Sequence, residues 1–283
     1  MVRLTVLGSG SSGNCAVVST GRTTLLIDAG LSAKQICLRL EAAGIAPGSL
    51  DGILLTHEHQ DHTAGLEVLS GRLSVPLYCT ALTQEHLRGS LKFRGAPQWR
   101  LMQTGSSFEI QDLIIESFPV PHDAVDPVGF VIADPDSRLG VLSDVGFVTN
   151  LIKDRLRGSD SLFVEANYDA QLLEADTKRP WATKQRIMSR HGHLSNDQAA
   201  ELVESLAHPG LHHVVLGHLS DDCNDPARAA GRIRESLVRA GVADAHVLCA
   251  ERRTCTATIE VARPRVTFAT PPPVSEGRQL GLL

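Results

Sequence analysis

Seven residues, Thr56-His57-Glu58-His59-Gln60-Asp61-His62, carry three imidazoles and two carboxylates directly after the apolar run Ile53-Leu54-Leu55. A short branched apolar run that gives way to polar residues reads as a buried strand ending in a loop. A loop held by a rigid strand end is where metal sites are built. His57 and His59 are two apart, so in extended chain their rings point the same way and can share one cation. Asp61 and His62 then face a second position. Imidazole and carboxylate without thiolate suit divalent Zn, Mn or Fe.

The rest of the chain bounds the setting. Its 283 residues suffice for a sizeable core, and a net charge of -5 gives no global attraction to nucleic acid. Any such contact must come from a local basic patch. The six cysteines form no C-x-x-C pair and read as small buried hydrophobes of a reducing compartment. No apolar run approaches a bilayer span, and the start Met1-Val2-Arg3-Leu4-Thr5 has no leader architecture, so the expected location is the cytoplasm, away from membranes.

Strands are expected at Leu4 to Leu7, Cys15 to Ser19 and Thr23 to Ile27, with Gly8 to Asn14 as a Gly/Ser loop between the first two. That loop is either a flexible hairpin or a place where Ser11 and Asn14 approach an anion. Asp28 either orients a metal-bound His or closes a turn. Helices are expected over Ser32 to Ala43, Thr63 to Leu73 and Thr83 to Arg94. A second run of strands starts near Ser107 and delivers His122, Asp144 and His218 after short apolar runs. Singly each is ordinary; their repeated position after strands is not. Lys178 to Asn196 holds Lys184, Arg186 and Arg190 and no Asp or Glu, which fits either a phosphate-rich substrate or a solvated loop. Ser195, with Gln198 three residues on, reads as a helix cap. From about Arg263 the Pro271-Pro272-Pro273 run and polar residues suggest a disordered tail over 263–283. The strand-rich layout occurs twice, before and after residue 105, so residues 1–262 are expected to form one α+β domain: a β-sandwich flanked by helices, in four layers.

His57-x-His59-x-Asp61-His62, followed by His122, Asp144 and His218, resembles the ligand set of the metallo-β-lactamase superfamily. The resemblance covers about residues 1–262 and implies a four-layer αββα sandwich with the site at one edge between the sheets. It implies that His57, His59 and His122 hold one metal ion, that Asp61, His62 and His218 hold another, and that Asp144 bridges them. A bridging Asp without a ligand Cys is similar to the phosphodiesterase, nuclease and glyoxalase branches. The stretches Gly8 to Cys15, Glu165-Ala166-Asn167, Gly192-His193-Leu194-Ser195-Asn196 and Gly217-His218-Leu219-Ser220 resemble the YycJ/WalJ-like group of metal-dependent DNA exonucleases. The chain departs from that group at Tyr168, where the group carries His, so no role is carried over to that position.

The expected reaction is attack on phosphorus by a hydroxide bridging two divalent ions, whose charge also offsets that developing on the phosphate oxygens. Asp61 guides the attack while serving as a ligand, and His193 either protonates the leaving oxygen or is a structural loop residue. The expected partner is a nucleic acid, specifically DNA, contacted by Ser11, Asn14, Lys184, Arg186, Arg190 and His193. Two other readings stay open: hydrolysis of a small phosphodiester or thioester on the same scaffold, and a non-catalytic metal protein. Sequence says nothing of oligomeric state.

Overall fold

Period-two alternation in the short apolar runs sorts the side chains into three separate cores. In Cys15–Ser19, Ala16 and Val18 face one core while Cys15 and Val17 face another. In Ser161–Glu165, Phe163 points opposite to Leu162 and Val164. Strands buried on both faces in this way need a layer on each side, and the chain supplies it. The computed structural model describes residues 1–93 and 95–262; the proline-rich segment expected to be a tail lies outside them.

The first sheet is built from β1 (Arg3–Gly8), β2 (Cys15–Ser19), β3 (Thr24–Ile27), β4 (Gly52–Leu54), β5 (Leu77–Cys79) and β6 (Trp99–Leu101). The second holds β7 (Ser107–Ile110), β8 (Leu113–Pro119), β9 (Val128–Asp134), β10 (Ser137–Leu142), β11 (Ser161–Glu165), β12 (His213–Gly217) and β13 (His246–Cys249). The division falls at residue 105 as the sequence implies, with one exception. The last strand, β14 (Ile259–Glu260), returns to the first sheet and pairs antiparallel with β1. Each sheet then has seven strands among the described residues. The helices are α1 (Ala33–Ala42), α2 (Gln60–Thr63), α3 (Leu66–Leu73), α4 (Ala81–Ser90), α5 (Asn150–Leu156), α6 (Ala170–Ala175), α7 (Trp181–Ile187), α8 (Asn196–Leu206) and α9 (Pro226–Arg239).

One core lies between the sheets, joining Leu4, Leu25 and Ile27 to Phe130, Ile132 and Val141. A second packs the first sheet under α1 and α3 through Ile36, Leu40, Leu66 and Leu69. A third packs the other sheet under α8 and α9 through Leu202, Val203, Ile233 and Leu237. This is the αββα sandwich. The cap of α8 forms as the sequence predicts: Ser195 Oγ accepts from Gln198 N and Gln198 Oε1 accepts from Ser195 N.

Strand direction places the site. β3 to β6 run parallel to one another, as do β10 to β13, so the C-terminal ends within each set lie on one edge. Open sheets bind ligands outside those ends. Asp28 and His218 follow such ends directly, His57 and Asp144 stand within three residues of them, and Glu165 is the last residue of β11. The helix expected over Thr63 to Leu73 is in fact two. The one-turn α2 carries Asp61 and His62, and a break at Ala64-Gly65 precedes α3. The break lets the chain return against the loop after β3, where a Cβ on Gly65 would lie 2.2 Å from the Leu31 carbonyl oxygen.

Candidate metal centre

Three groups of possible ligands share Asp144, a third joining it to Glu165, His193 and His218, and two of them hold the sequence-predicted set. His57, His59, His122 and Asp144 each offer a ligand atom within 4.8 Å of the others, and so do Asp61, His62, Asp144 and His218. The Asp144 carboxylate lies 3.8 Å from His57 Nε2, 3.4 Å from His62 Nε2, 3.7 Å from His122 Nε2 and 3.6 Å from His218 Nε2. The sequence-predicted ligands are therefore brought together, in the two sets expected.

Four of the five ligand imidazoles are held by Nδ1. His62 donates from Nδ1 to Asp28 Oδ2 at 2.7 Å. Thr56 donates its backbone N–H to Asp28 Oδ1 and its hydroxyl to Asp28 Oδ2, at 2.8 and 2.9 Å. With its proton committed there, Thr56 Oγ1 accepts from His57 Nδ1 at 2.9 Å. A single buried carboxylate so fixes the tautomer of two ligands, and Asp28 is an orienting acceptor rather than a turn closer. His122 donates from Nδ1 to the Gly192 carbonyl at 3.0 Å. His218 donates from Nδ1 to Glu165 Oε1 at 2.9 Å, and Asn167 Nδ2 donates to the His218 carbonyl. In these four Nε2 faces the centre, where His62 Nε2 lies 3.2 Å from Asn14 Nδ2 and His218 Nε2 lies 3.2 Å from Asp61 Oδ2.

Two of those nitrogens, His57 Nε2 and His122 Nε2, are buried with no hydrogen-bond partner. An orphaned buried lone pair aimed at a carboxylate cluster is what a cation would satisfy. Burial, joined by the neighbouring imidazole His62, pulls His57 well below its usual range, and burial lowers His122 as well. Burial opposes charge on His62 and His218 too, but Asp144 first and then Asp28 lift His62 well above its usual range. Asp144, Asp61 and Glu165 hold His218 up at about 10. Asp61, although burial raises it, is held below the usual carboxylate range by His218 and His62. So many buried carboxylates need compensating positive charge, and divalent ions provide it while releasing those imidazole protons. Asp28, Asp144 and His218 also adopt φ of 59°, 51° and 54°, a strained backbone that persists where the surroundings over-determine it.

The cleft in front of this cluster has a volume of about 260 Å³. Ser11, Arg186 and His193, all sequence-predicted substrate contacts, line it, as do Asn167, Arg179 and Ser220. Three predicted contacts do not. Asn14 spends its side chain inside the Gly/Ser loop, accepting from Ser9 Oγ and Gly10 N, with a donor on Asp61 Oδ2 at 3.3 Å. Lys184 is buried and donates to the Glu174 carbonyl, so it braces α7 against α6. Arg190 stacks on Phe147, outside the cleft. Tyr168 is buried beside Leu173 and Cys223 and is not a cleft residue.

Glu165 is the site residue that sequence reasoning quoted without a role. Its Oε1 accepts from His193 Nδ1 at 2.7 Å as well as from His218, and its Oε2 accepts from the backbone N–H groups of Val145 and Leu194. Burial pushes its carboxyl up, but His193 and His218 more than offset this and hold it below the usual range. With four donors on two oxygens, Glu165 orients neighbours rather than binding metal. Only its place at a strand end before Asn167, the position that also marks Asp144 and His218, hinted at this.

Removing metal should lower the melting temperature. A ligand present at about 100 times its Kd stabilises by roughly 2.7 kcal/mol. For a chain of this size that corresponds to roughly 5–10 °C for each bound ion. Scanning fluorimetry of chelator-stripped and reloaded protein checks this; identical melting curves would argue against a metal centre here.

A β-lactamase superfamily domain model matches residues 23–219. The chain is 33% identical over 243 residues to exodeoxyribonuclease YycJ of Bacillus anthracis, covering 85% of this chain and 90% of that one. It is 36% identical over 225 residues to exodeoxyribonuclease WalJ of Streptococcus pneumoniae, covering 78% and 83%. Among solved structures, the metallo-β-lactamase fold protein YhfI of Bacillus subtilis superposes with a TM-score of 0.69 at 16% identity, covering 90% of this chain and 98% of that one. No helix among the described residues is long and apolar enough to cross a membrane.

Proposed function

The chain belongs to the β-lactamase superfamily of metallo-hydrolases, and from that premise we propose that it is a dinuclear phosphodiesterase that removes nucleotides from the ends of DNA. The observation that carries the dinuclear reading is Asp144, whose carboxylate lies 3.4 to 3.8 Å from imidazoles of both ligand groups. The likeness to two exodeoxyribonucleases over most of the chain supports DNA as substrate. His57, His59 and His122 would hold one ion and Asp61, His62 and His218 the other, with Asp144 shared. Two divalent ions there, Zn, Mn or Fe, would lower the pKa of water toward neutrality and neutralise charge on a phosphate.

The chain's own groups do the rest. Asp61 lines the cleft and is partly exposed, which supports a role in orienting an attacking water as well as in binding metal. His193 lines the cleft with Nδ1 anchored on Glu165, which leaves Nε2 to deliver a proton to the leaving oxygen. Burial opposes its charge, but the Glu165 carboxylate raises its pKa above the usual value, which favours the protonated donor. Ser11 stands at the cleft wall as a hydrogen-bond donor to phosphate. Residues 1–262 act as one hydrolase domain in this reading.

One observation keeps a small phosphodiester or thioester as a second reading. Both cleft arginines are already paired, Arg179 with Asp176 and Asp222 and Arg186 with Asp123, so the cleft itself offers little free positive charge. The deciding experiment uses end-labelled single- and double-stranded DNA and RNA, with stripped protein reloaded separately with Mn and Zn. Stepwise shortening of DNA from one end, lost in Asp61→Ala, is expected. Turnover of a small diester or thioester with no shortening of any strand would favour the second reading.

A further inference from the structure

We propose that Phe147 and Arg190, with the groove between α5 and α8 beside them, form a base-stacking subsite for a nucleotide flanking the scissile phosphate; this rests on the nuclease reading above. The basic stretch around α7 is largely neutralised within the fold. Lys178, Arg179 and Arg186 each pair with an Asp, and Lys184 is bonded to a carbonyl. Arg190 differs. It makes no ion pair among the described residues and sets its guanidinium 4.0 Å from the centre of the Phe147 ring. Both side chains are exposed, Phe147 to 39%. A planar cation laid on an exposed aromatic ring offers flat faces to a base and a charge to the adjoining phosphate.

The pair is fixed to the reaction centre. A Cβ on Gly146 would lie 2.4 Å from Gly192 N and 2.5 Å from the Arg190 carbonyl carbon, so glycine alone lets these segments meet. The Gly192 carbonyl in turn holds His122 Nδ1. Phe147 is three residues beyond Asp144, so their Cα atoms are within about 11 Å. Roughly three nucleotide steps of ~3.4 Å cover that reach.

The groove beside Phe147 has a volume of about 350 Å³. Leu194 and Leu202 give it an apolar base, and Asn150 and Gln198 bring amides to its walls. The Gln198 oxygen serves the helix cap, which leaves its NH₂ free to turn toward a ligand. Lys153 and Glu201 complete the lining; Lys153 makes no ion pair among the described residues and suits a phosphate, whereas Glu201 suits an exocyclic amino group. An aromatic face, amides and one cation are the means by which proteins hold unstacked bases.

An abasic scan tests this. Oligonucleotides lacking one base at each of the first four positions from either end are degraded by wild type, Phe147→Ala and Phe147→Trp. At one position the missing base should cost wild type and Phe147→Trp about five- to a hundredfold in kcat/KM. The same missing base should cost Phe147→Ala less than about twofold, because its stacking partner is already gone. Equal cost in all three proteins at every position would overturn the subsite while leaving the exonuclease intact. A wild-type protein that shortens no strand would instead sink the functional reading, and the subsite with it.

Discussion

Asp144→Asn is expected to cut kcat/KM roughly a thousandfold and to lower bound metal from two ions per chain to one or none. Loss of a residue that merely orients a ligand costs about 10–100-fold in metal affinity or activity. Asp144 stands in both ligand groups, and a comparable loss in each multiplies to roughly 10²–10⁴. Asparagine is the informative replacement because it keeps the shape and tolerates the positive φ of 51° at this position. Alanine would confound lost charge with backbone strain. The change also removes a carboxylate from among four buried imidazoles, so the metal-free variant should hold fewer protons on His62 and His218. Metal analysis beside steady-state rates on a common substrate checks the claim. Full rate with two equivalents of metal would remove Asp144 from the centre.

That aspartate was legible before any coordinates, and the reason lies in chain order. His57, His59, Asp61 and His62 fall within six positions, so local spacing alone assembles two half-sites. His122, Asp144 and His218 stand out because each ends a short apolar strand, and parallel strands bring such ends to one edge. Residues that act through long-range contact leave a weaker trace. Asp28 orients His62 across 34 positions and Glu165 orients His218 across 53; from sequence alone each is one acidic residue near a strand end. The charge of the basic window is offset from outside it. It contains no acid of its own, yet Asp123 and Asp222 arrive from distant segments to pair with it, and Asp176 from two residues before it. α6 and α7 were missed there because six- and seven-residue helices are too short to establish a period. β6 was missed too: Arg100 and Leu101 are both exposed in a three-residue edge strand, so no alternation marks it. Lattice-like core strands such as β2 and β11 were the easiest to read, since β-branched and aromatic runs admit few other placements.

Glu165→Gln should be nearly as damaging as the loss of a ligand, although Glu165 is placed here as a positioning residue. Its two oxygens accept four hydrogen bonds, two from backbone N–H groups and two from imidazole Nδ1 atoms. An amide has one oxygen and one NH₂, so it cannot serve both sides. The N–H groups of Val145 and Leu194 cannot change their chemistry, whereas an imidazole can move its proton. The amide oxygen should therefore turn to the backbone and the NH₂ to His193 and His218. Both rings would then carry their proton on Nε2. For His218 this blocks the nitrogen that faces Asp144 and Asp61; for His193 it removes the carboxylate that favours its charged form. The expected result is loss of one of two metal ions, with the His57, His59 and His122 group still occupied, and a fall in kcat/KM of about 10²–10⁴. A structural role alone would lower stability without selecting one ion. Metal analysis at graded free metal, read beside the melting temperature, separates the two. Simultaneous loss of both ions with a collapsed melting curve would mark Glu165 as a fold residue, and retention of both ions at full rate would show that neither imidazole depends on it.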